Sequence, residues 1–208
     1  MNSRFPTRAA RVTPLEAARH YASCGWPVAT GAYVTETGCS CGDVWCGEPG
    51  RHPIGTTWRD TVTTDVQVLS IRWVLTPRAS VVVETGTVFD VVPVSHADGE
   101  LLFRLWEGQG VPPVPVLSAA AGVLVFTCAH RDSESGWMVL PPVCDSKGAD
   151  PSWLVPVTSA NACRLPTAAQ LSRWLADTPG RARTCGLAGG SAAAGAAVRS
   201  MRCRGRLR

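Results

Sequence analysis

Lysine is almost absent from this sequence. Its 208 residues include one lysine, Lys147, against nineteen arginines. No GxxxxGK[ST] segment accompanies that lysine, so the chain lacks the P-loop that binds nucleotide phosphates in many kinases and ATPases. Schiff-base chemistry requires a positioned lysine amine, and the presence of a single lysine disfavours it.

Long apolar runs are also absent. No run approaches the roughly 18 residues that a membrane-spanning helix needs. The basic start MNSRFPTRAARV leads into TPLEAARHYA instead of the apolar core of a signal peptide. These features predict a cytoplasmic protein without a membrane partner. The nine cysteines are odd in number, which favours reduced thiols, some of them bound to metal, over a disulfide framework.

Length and composition predict one folded domain with a tail. Single cores occupy roughly 100 to 200 residues, and hydrophobic residues make up 45% of this chain, which also has eight tryptophans. We assign residues 1–180 to the domain. Residues 181–208 form a Gly/Ala/Arg-rich tail that is predicted to be disordered, because it offers little apolar surface to bury.

Positive charge is concentrated in that tail. The formal net charge is +4, yet residues 181–208 contain seven arginines and no acid. The rest of the chain has thirteen basic and sixteen acidic residues, a net charge of −3. Sequence-independent attraction to nucleic acid would therefore come from the tail. A solvated terminus without such a role is the alternative.

Two helices are predicted in the first third of the chain. A T-x-x-E capping box at Thr13 starts a helix over about 14–24. The stretch TTDVQVLSIRWVL predicts a second helix, with Thr63 or Thr64 as its N-cap and Asp65 in its first turn.

Apolar runs rich in β-branched residues predict the strands. SVVVETG and VFDVVPV are separated by a glycine turn, and DGELLFRLWEG after them has helical spacing. Further strands are predicted at VPVLS, GVLVFTC and GWMVLPP, and a last helix at LPTAAQLSRWLADTPG. The sum is an α/β (α+β) domain in which a helical pair and a cysteine-rich loop precede a mixed sheet with flanking helices.

The cysteine-rich loop at 39–52 predicts a structural zinc site. Cys39, Cys41, Cys46 and His52 have the form C-x-C-x4-C-x5-H, close to the short loops that hold zinc with thiolate and imidazole ligands. Four protein ligands leave no open position for a reacting water, so such an ion would hold the loop together. Unliganded thiols and a disulfide are the alternatives, and His52 beside a proline also suits an exposed histidine.

Several stretches resemble the N-terminal domain of bifunctional DNA primase/polymerases, the Prim-Pol branch of the archaeo-eukaryotic primase superfamily. The resemblance covers about residues 14–176 and depends mainly on the order of its motifs. The similar stretches are PLEAARHYASCGWPV, CSCGDVWCGEPGRHP, TTDVQVLSIRWVLTPRASVVVETG and GWMVLPP. Some short members of this family are similar in having a cysteine-rich loop at this point, which supports the zinc prediction.

The resemblance implies a primase/polymerase-like core that extends nucleic acid from nucleoside triphosphates with Mg²⁺ or Mn²⁺. Such ions need hard oxygen ligands, and in the family a strand after the Thr-Gly turn carries two acids one residue apart. The matching positions in VFDVVPVS are Pro93 and Ser95, and neither offers a carboxylate. Asp90 lies three residues before Pro93, so a regular strand turns it to the other face unless a bulge intervenes.

Three hypotheses follow from this comparison. The first is a catalytically degenerate domain, without catalytic residues, that binds nucleic acid or nucleotide as an accessory module. The second is an active metal-dependent primase/polymerase with unusual ligands, for which Asp90, Asp98, Asp132 and Glu134 are the available acids. The third is a zinc-stabilised regulatory or interaction protein whose basic tail contacts nucleic acid.

Overall fold

The computed structural model describes residues 12–143 and 151–177. The predicted tail at 181–208 and the predicted domain boundary at residue 180 lie outside these residues. The described helices are α1 (Pro14–Ser23), α2 (Val66–Leu75), α3 (His96–Gln109), α4 (Ser159–Ala162) and α5 (Ala168–Asp177), with a 3-10 turn at Trp58–Thr61. Within this part of the chain no helix has the length and apolar character needed to cross a bilayer.

Two antiparallel sheets form the centre of the molecule. The strands are β1 (Val28–Thr30), β2 (Val34–Thr35), β3 (Gly38–Cys39), β4 (Val81–Thr85), β5 (Phe89–Val94), β6 (Val116–Ala119), β7 (Gly122–Cys128), β8 (Gly136–Leu140) and β9 (Trp153–Val155). One sheet has the order β1-β4-β8, the other has the order β5-β7-β6-β9, and β2 and β3 form a small hairpin. The predicted α/β class with flanking helices is confirmed.

The first helix begins where its capping box predicts. The Thr13 hydroxyl accepts a hydrogen bond from the Glu16 N–H at 3.2 Å, and the Glu16 carboxylate accepts one from the Thr13 N–H at 2.7 Å. The reciprocal pair satisfies two main-chain donors that a helix N-terminus otherwise leaves free. The Thr13 hydroxyl also donates to the Glu16 carboxylate at 2.8 Å, and the hydrogen bonds from the Thr13 N–H and hydroxyl lower the pKa of Glu16.

The N-cap of the second helix is Asp65, one residue after Thr64. The prediction of Thr63 or Thr64 as N-cap is wrong, because the Asp65 carboxylate caps the helix by accepting from the N–H groups of Gln67 and Val68 at 2.8 and 3.3 Å. The Thr63 hydroxyl instead accepts from the Asp65 N–H at 3.0 Å. A carboxylate at this position also interacts favourably with the helix dipole, which explains why aspartate caps in preference to threonine.

The strands β4 and β5 are adjacent in sequence but enter different sheets. The glycine turn between them is present: Gly86 has a φ of +85° and donates to the Phe89 carbonyl at 2.8 Å. A Cβ at this position would lie 2.7 Å from the Glu134 carbonyl oxygen, so only glycine fits. Beyond the turn, β4 pairs with β1 and β8, whereas β5 pairs with β7.

Each sheet is covered by its own pair of helices. The helices α1 and α2 pack on one face of the three-stranded sheet, and Trp58 of the 3-10 turn packs on its other face, against Ala29 and Val82. The helices α3 and α5 pack on one face of the four-stranded sheet through Trp106 and Leu171. The opposite face of that sheet joins the α1–α2 core.

Trp26 connects the two sheets. It follows α1, has no exposed surface, and places its ring 4.3 Å from Phe89 on β5 and 5.1 Å from Phe126 on β7, measured between centroids. Tyr21 and Trp153 extend this aromatic cluster at 6.2 and 6.5 Å from Trp26. Aromatic rings at these separations stabilise each other beyond the area that they bury.

Candidate functional site

The cysteine-rich loop brings its four predicted ligands together. The Sγ atoms of Cys39, Cys41 and Cys46 and a ring nitrogen of His52 all lie within 4.8 Å of one another. In a tetrahedral zinc site with these donors, the ligand atoms lie about 3.5 to 3.8 Å apart. In the part of the chain that the structure describes, no other group of three or more His, Cys, Asp or Glu side chains is close enough to share an ion.

His52 is oriented as a metal ligand. Its Nε2 lies 3.3 Å from the Sγ atoms of both Cys39 and Cys46. Its Nδ1 lies 2.7 Å from the Pro53 carbonyl oxygen, which can only accept, so Nδ1 carries the proton and donates it there. The Nε2 lone pair then faces the three thiols, the arrangement by which a second hydrogen bond orients a ligating imidazole.

The main chain fixes the base of the loop. The Ala32 N–H donates to the His52 carbonyl at 2.8 Å, and a β-bridge joins Gly31 to Pro53. Cys39 ends β3, where the Gly50 N–H lies 3.4 Å from its Sγ. The loop therefore leaves and rejoins the protein at neighbouring points, which holds Cys39 and His52 side by side.

Before any cation binds, the thiols differ in acidity. Burial alone would raise the pKa of Cys39, but hydrogen bonds from the Cys41 and Gly50 N–H groups, together with the contacts of its Sγ with the His52 and Cys41 side chains, outweigh burial and lower it to about 6. Burial, with the neighbouring thiols, raises the pKa of Cys46 to about 12. One thiolate therefore forms easily, and its negative charge disfavours the ionisation of a second thiol. A cation in the centre would remove that opposition, because the thiolate is the form that binds metal.

Beside the cysteine-rich loop at 39–52, called the metal loop below, lies a groove of about 810 Å³. Its charged lining consists of Glu36, Glu48 and Arg51, and its apolar lining includes Val34 and Val139. Two carboxylates against one guanidinium give this groove a negative balance, which is unfavourable for a triphosphate.

Pro93, at the first position that matches the acidic pair of the resembled family, lies on the outer edge of the four-stranded sheet. The Ala129 N–H bonds to the Val88 carbonyl at 3.4 Å, and alternation from there turns the main chain of Pro93 away from β7. Proline has no N–H to present at that edge, which is where strands tolerate it. Its ladder neighbour on β7 is Leu124, so the surface here is apolar.

Ser95, at the second matching position, is the N-cap of α3. Its hydroxyl accepts from the Asp98 N–H at 3.1 Å and lies 3.0 Å from the Asp98 carboxylate, to which it donates. The residue therefore starts a helix, and the Asp98 carboxylate accepts a hydrogen bond from its hydroxyl.

Asp90 lies on the opposite face of β5 from Pro93. The register from Phe89 to Val94 is continuous, so no bulge turns Asp90 inward. Its carboxylate accepts from the His130 N–H at 2.9 Å and from the Ser133 hydroxyl. Asp90 thereby anchors the loop that follows β7, forty residues away in sequence.

The two later acids do not join Asp90 in a metal site. Asp132 is 91% exposed at its side chain and lies 3.6 Å from Nδ1 of His130. Glu134 is exposed in the same loop. No acidic pair is therefore assembled from the described residues around Pro93.

Replacing Asp90 by alanine is expected to lower the free energy of unfolding by about 2 kcal/mol, because two hydrogen bonds to a charged acceptor are lost. Urea unfolding followed by circular dichroism measures this loss. Asp132→Ala, in the same loop, is the matched control and is expected to change stability by less than about 0.5 kcal/mol. Equal effects of the two substitutions would contradict the anchoring role of Asp90.

Comparison with known proteins identifies one family. The model of the bifunctional DNA primase/polymerase N-terminal domain matches residues 18–139, more than half of the chain. The match begins within α1 and ends within β8, so it contains both the metal loop and β5. No curated protein and no solved structure matches the chain significantly.

Proposed function

The chain belongs to the bifunctional DNA primase/polymerase N-terminal domain family, and from this premise we propose that it is a non-polymerising member that acts as a nucleic-acid or nucleotide binding accessory module. The observation that supports the loss of catalysis is that both positions matching the family's acidic pair have structural roles. Pro93 closes a sheet edge and Ser95 caps α3.

Nucleotidyl transfer by two metal ions needs anionic oxygens at a fixed separation. The ions bridge the triphosphate and the attacking hydroxyl and stabilise charge at both. Around Pro93 the face of β5 and β7 offers Val91, Leu124 and Phe126 instead. Mg²⁺ and Mn²⁺ do not bind such side chains, because they require oxygen ligands.

The metal loop would hold zinc as a structural ion. Three thiolates and one imidazole suit zinc better than the hard cations of nucleotide chemistry. Bound there, zinc would supply a cross-link between Cys39, Cys41, Cys46 and His52 and would have no position left for substrate. The bridge of Gly31 with Pro53 holds the end of the loop beside the segment that follows β1.

Attraction to nucleic acid would come from the basic tail. The described residues contain nine arginines and fourteen carboxylate side chains, a net charge of −5. A body of this charge repels phosphate at long range. Residues 181–208, with seven arginines and no acid, lie outside the described part and carry the opposite charge.

Deleting residues 181–208 is expected to weaken binding to single-stranded DNA at least about tenfold at low salt, because up to seven phosphate contacts are lost. Fluorescence anisotropy with a labelled oligonucleotide over a salt series measures both the affinity and the salt slope. A chain whose tail has the same composition in scrambled order is the control, and it should bind as the original does. Unchanged affinity after deletion would contradict tail-driven binding and place the contact on the domain.

A further inference from the structure

Strand β8 has one edge with which no other described strand pairs. The Glu84 N–H donates to the Pro27 carbonyl on the β1 side, so alternation turns Val81, Val83 and Thr85 toward β8. Their ladder partners on β8 are Gly136, Met138 and Leu140. The main-chain groups of Trp137 and Val139 therefore point away from β4, and no described residue hydrogen-bonds to them.

The other long edges of the described sheets are protected. The edge of β1 is occupied by bridges from Thr63 and Pro53, and the edge of β5 contains Pro93, which has no N–H. Proteins protect exposed edges with proline, charge or a covering segment. The sequence GWMVL of β8 has no proline and no charge, and three of its four side chains, Trp137, Met138 and Val139, are only half-buried.

This edge is complementary to itself. In an antiparallel pair centred on Met138, Trp137 of one chain would lie opposite Val139 of the other, and the reverse pair would form by symmetry. The outward N–H and C=O groups of these two residues would form four hydrogen bonds. The cross-strand pairs would be aromatic with β-branched and methionine with methionine, which are favourable, and no like charges would meet.

We infer that this chain forms a homodimer through β8, which joins two three-stranded sheets into a six-stranded antiparallel sheet across a two-fold axis. The length of β8 limits the contact to five residues on each side, because Pro141 and Pro142 follow and have no N–H to donate. The interface is therefore small for a protein dimer, and we expect a dissociation constant in the micromolar range.

Sedimentation velocity of the full chain over a micromolar concentration series, in reducing buffer, tests this inference. The original protein should show a monomer–dimer equilibrium. Val139→Pro removes an N–H that faces the partner and none that faces β4, so the dissociation constant should rise at least about 30-fold, since each dimer loses two hydrogen bonds. Val91→Pro removes an outward N–H from the β5 edge in the same way and should leave the dimer unchanged.

A charge exchange provides a second arm. The two Met138 side chains would be direct neighbours at the two-fold axis, so Met138→Lys and Met138→Glu should each be monomeric alone and form a heterodimer when mixed. Circular dichroism confirms that each variant is folded. A monomeric original protein, a folded Val139→Pro that dimerises as before, or folded charge variants that fail to pair when mixed would each overturn the inference. If β8 instead binds an extended peptide of another protein, the original protein would be monomeric in this experiment.

Discussion

Replacing Cys39 by serine is expected to abolish zinc binding and to lower the unfolding midpoint by at least about 10 °C. The original protein should contain about one zinc per chain and lose a similar amount of thermal stability with a strong chelator. Loss of a structural metal typically costs several kcal/mol, and each kcal/mol shifts the midpoint of a chain of this length by about 2 to 4 °C. Cys39 is the most buried of the four ligands, so serine also leaves its hydroxyl poorly solvated.

Cys163→Ser is the matched control for this substitution. Cys163 is exposed at the end of α4, and its Sγ donates to the Ala160 carbonyl at 3.4 Å. Zinc content and unfolding midpoint should not change in this variant. Zinc content is measured by atomic emission and the midpoint by differential scanning calorimetry. A metal-free original protein with normal folding, or equal midpoints for the two variants, would contradict the assignment.

Replacing Trp26 by alanine is expected to lower the free energy of unfolding by about 4 kcal/mol, the usual cost of removing a fully buried large aromatic side chain. The ring joins α1 and the three-stranded sheet to Phe89 and Phe126 of the other sheet. Its removal therefore leaves a cavity between the sheets. Urea unfolding at equilibrium measures the loss.

Two further variants separate the effect of burying the ring from the effect of its unpaired N–H. The Trp26 Nε1 is buried and has no hydrogen-bond partner among the described residues, so Trp26→Phe removes an unsatisfied donor and should cost only about 1 to 2 kcal/mol. Trp45→Ala removes the same side chain from the tip of the metal loop, where it is 88% exposed. It should change stability by less than about 0.5 kcal/mol. A Trp26→Ala effect as small as that of Trp45→Ala would show that the two sheets do not share this core.

Local patterns predict four of the five described helices and the clustering of Cys39, Cys41, Cys46 and His52. The capping box at Thr13 acts within one turn, and the spacing of the cysteines and His52 keeps all four ligands within fourteen residues. Both features depend on contacts between near neighbours in sequence. The error of one residue at α2 arose because aspartate and threonine compete for the cap position, and the sequence does not show which backbone conformation wins.

Pairing between distant segments could not be predicted. The turn at Gly86 favours a hairpin of β4 and β5, but each strand finds better partners elsewhere. Asp90 anchors a loop forty residues later, and no local pattern indicates that contact. The short strand β9 and helix α4 were missed, because Trp153–Val155 is only three residues long and derives its structure from pairing with β6. The position of Pro93 at a sheet edge was foreseeable, since proline is rarely found in a central strand.

The most direct test of the proposed loss of catalysis is primer extension and de novo priming by the purified full chain, with Mg²⁺ and with Mn²⁺, beside a competent polymerase as the positive control. With an apolar face at Pro93 and a helix cap at Ser95, we expect no nucleotide incorporation above the protein-free background. Incorporation that is lost in a folded Asp90→Asn variant, and kept in Asp132→Asn, would contradict the account and assign metal binding to Asp90.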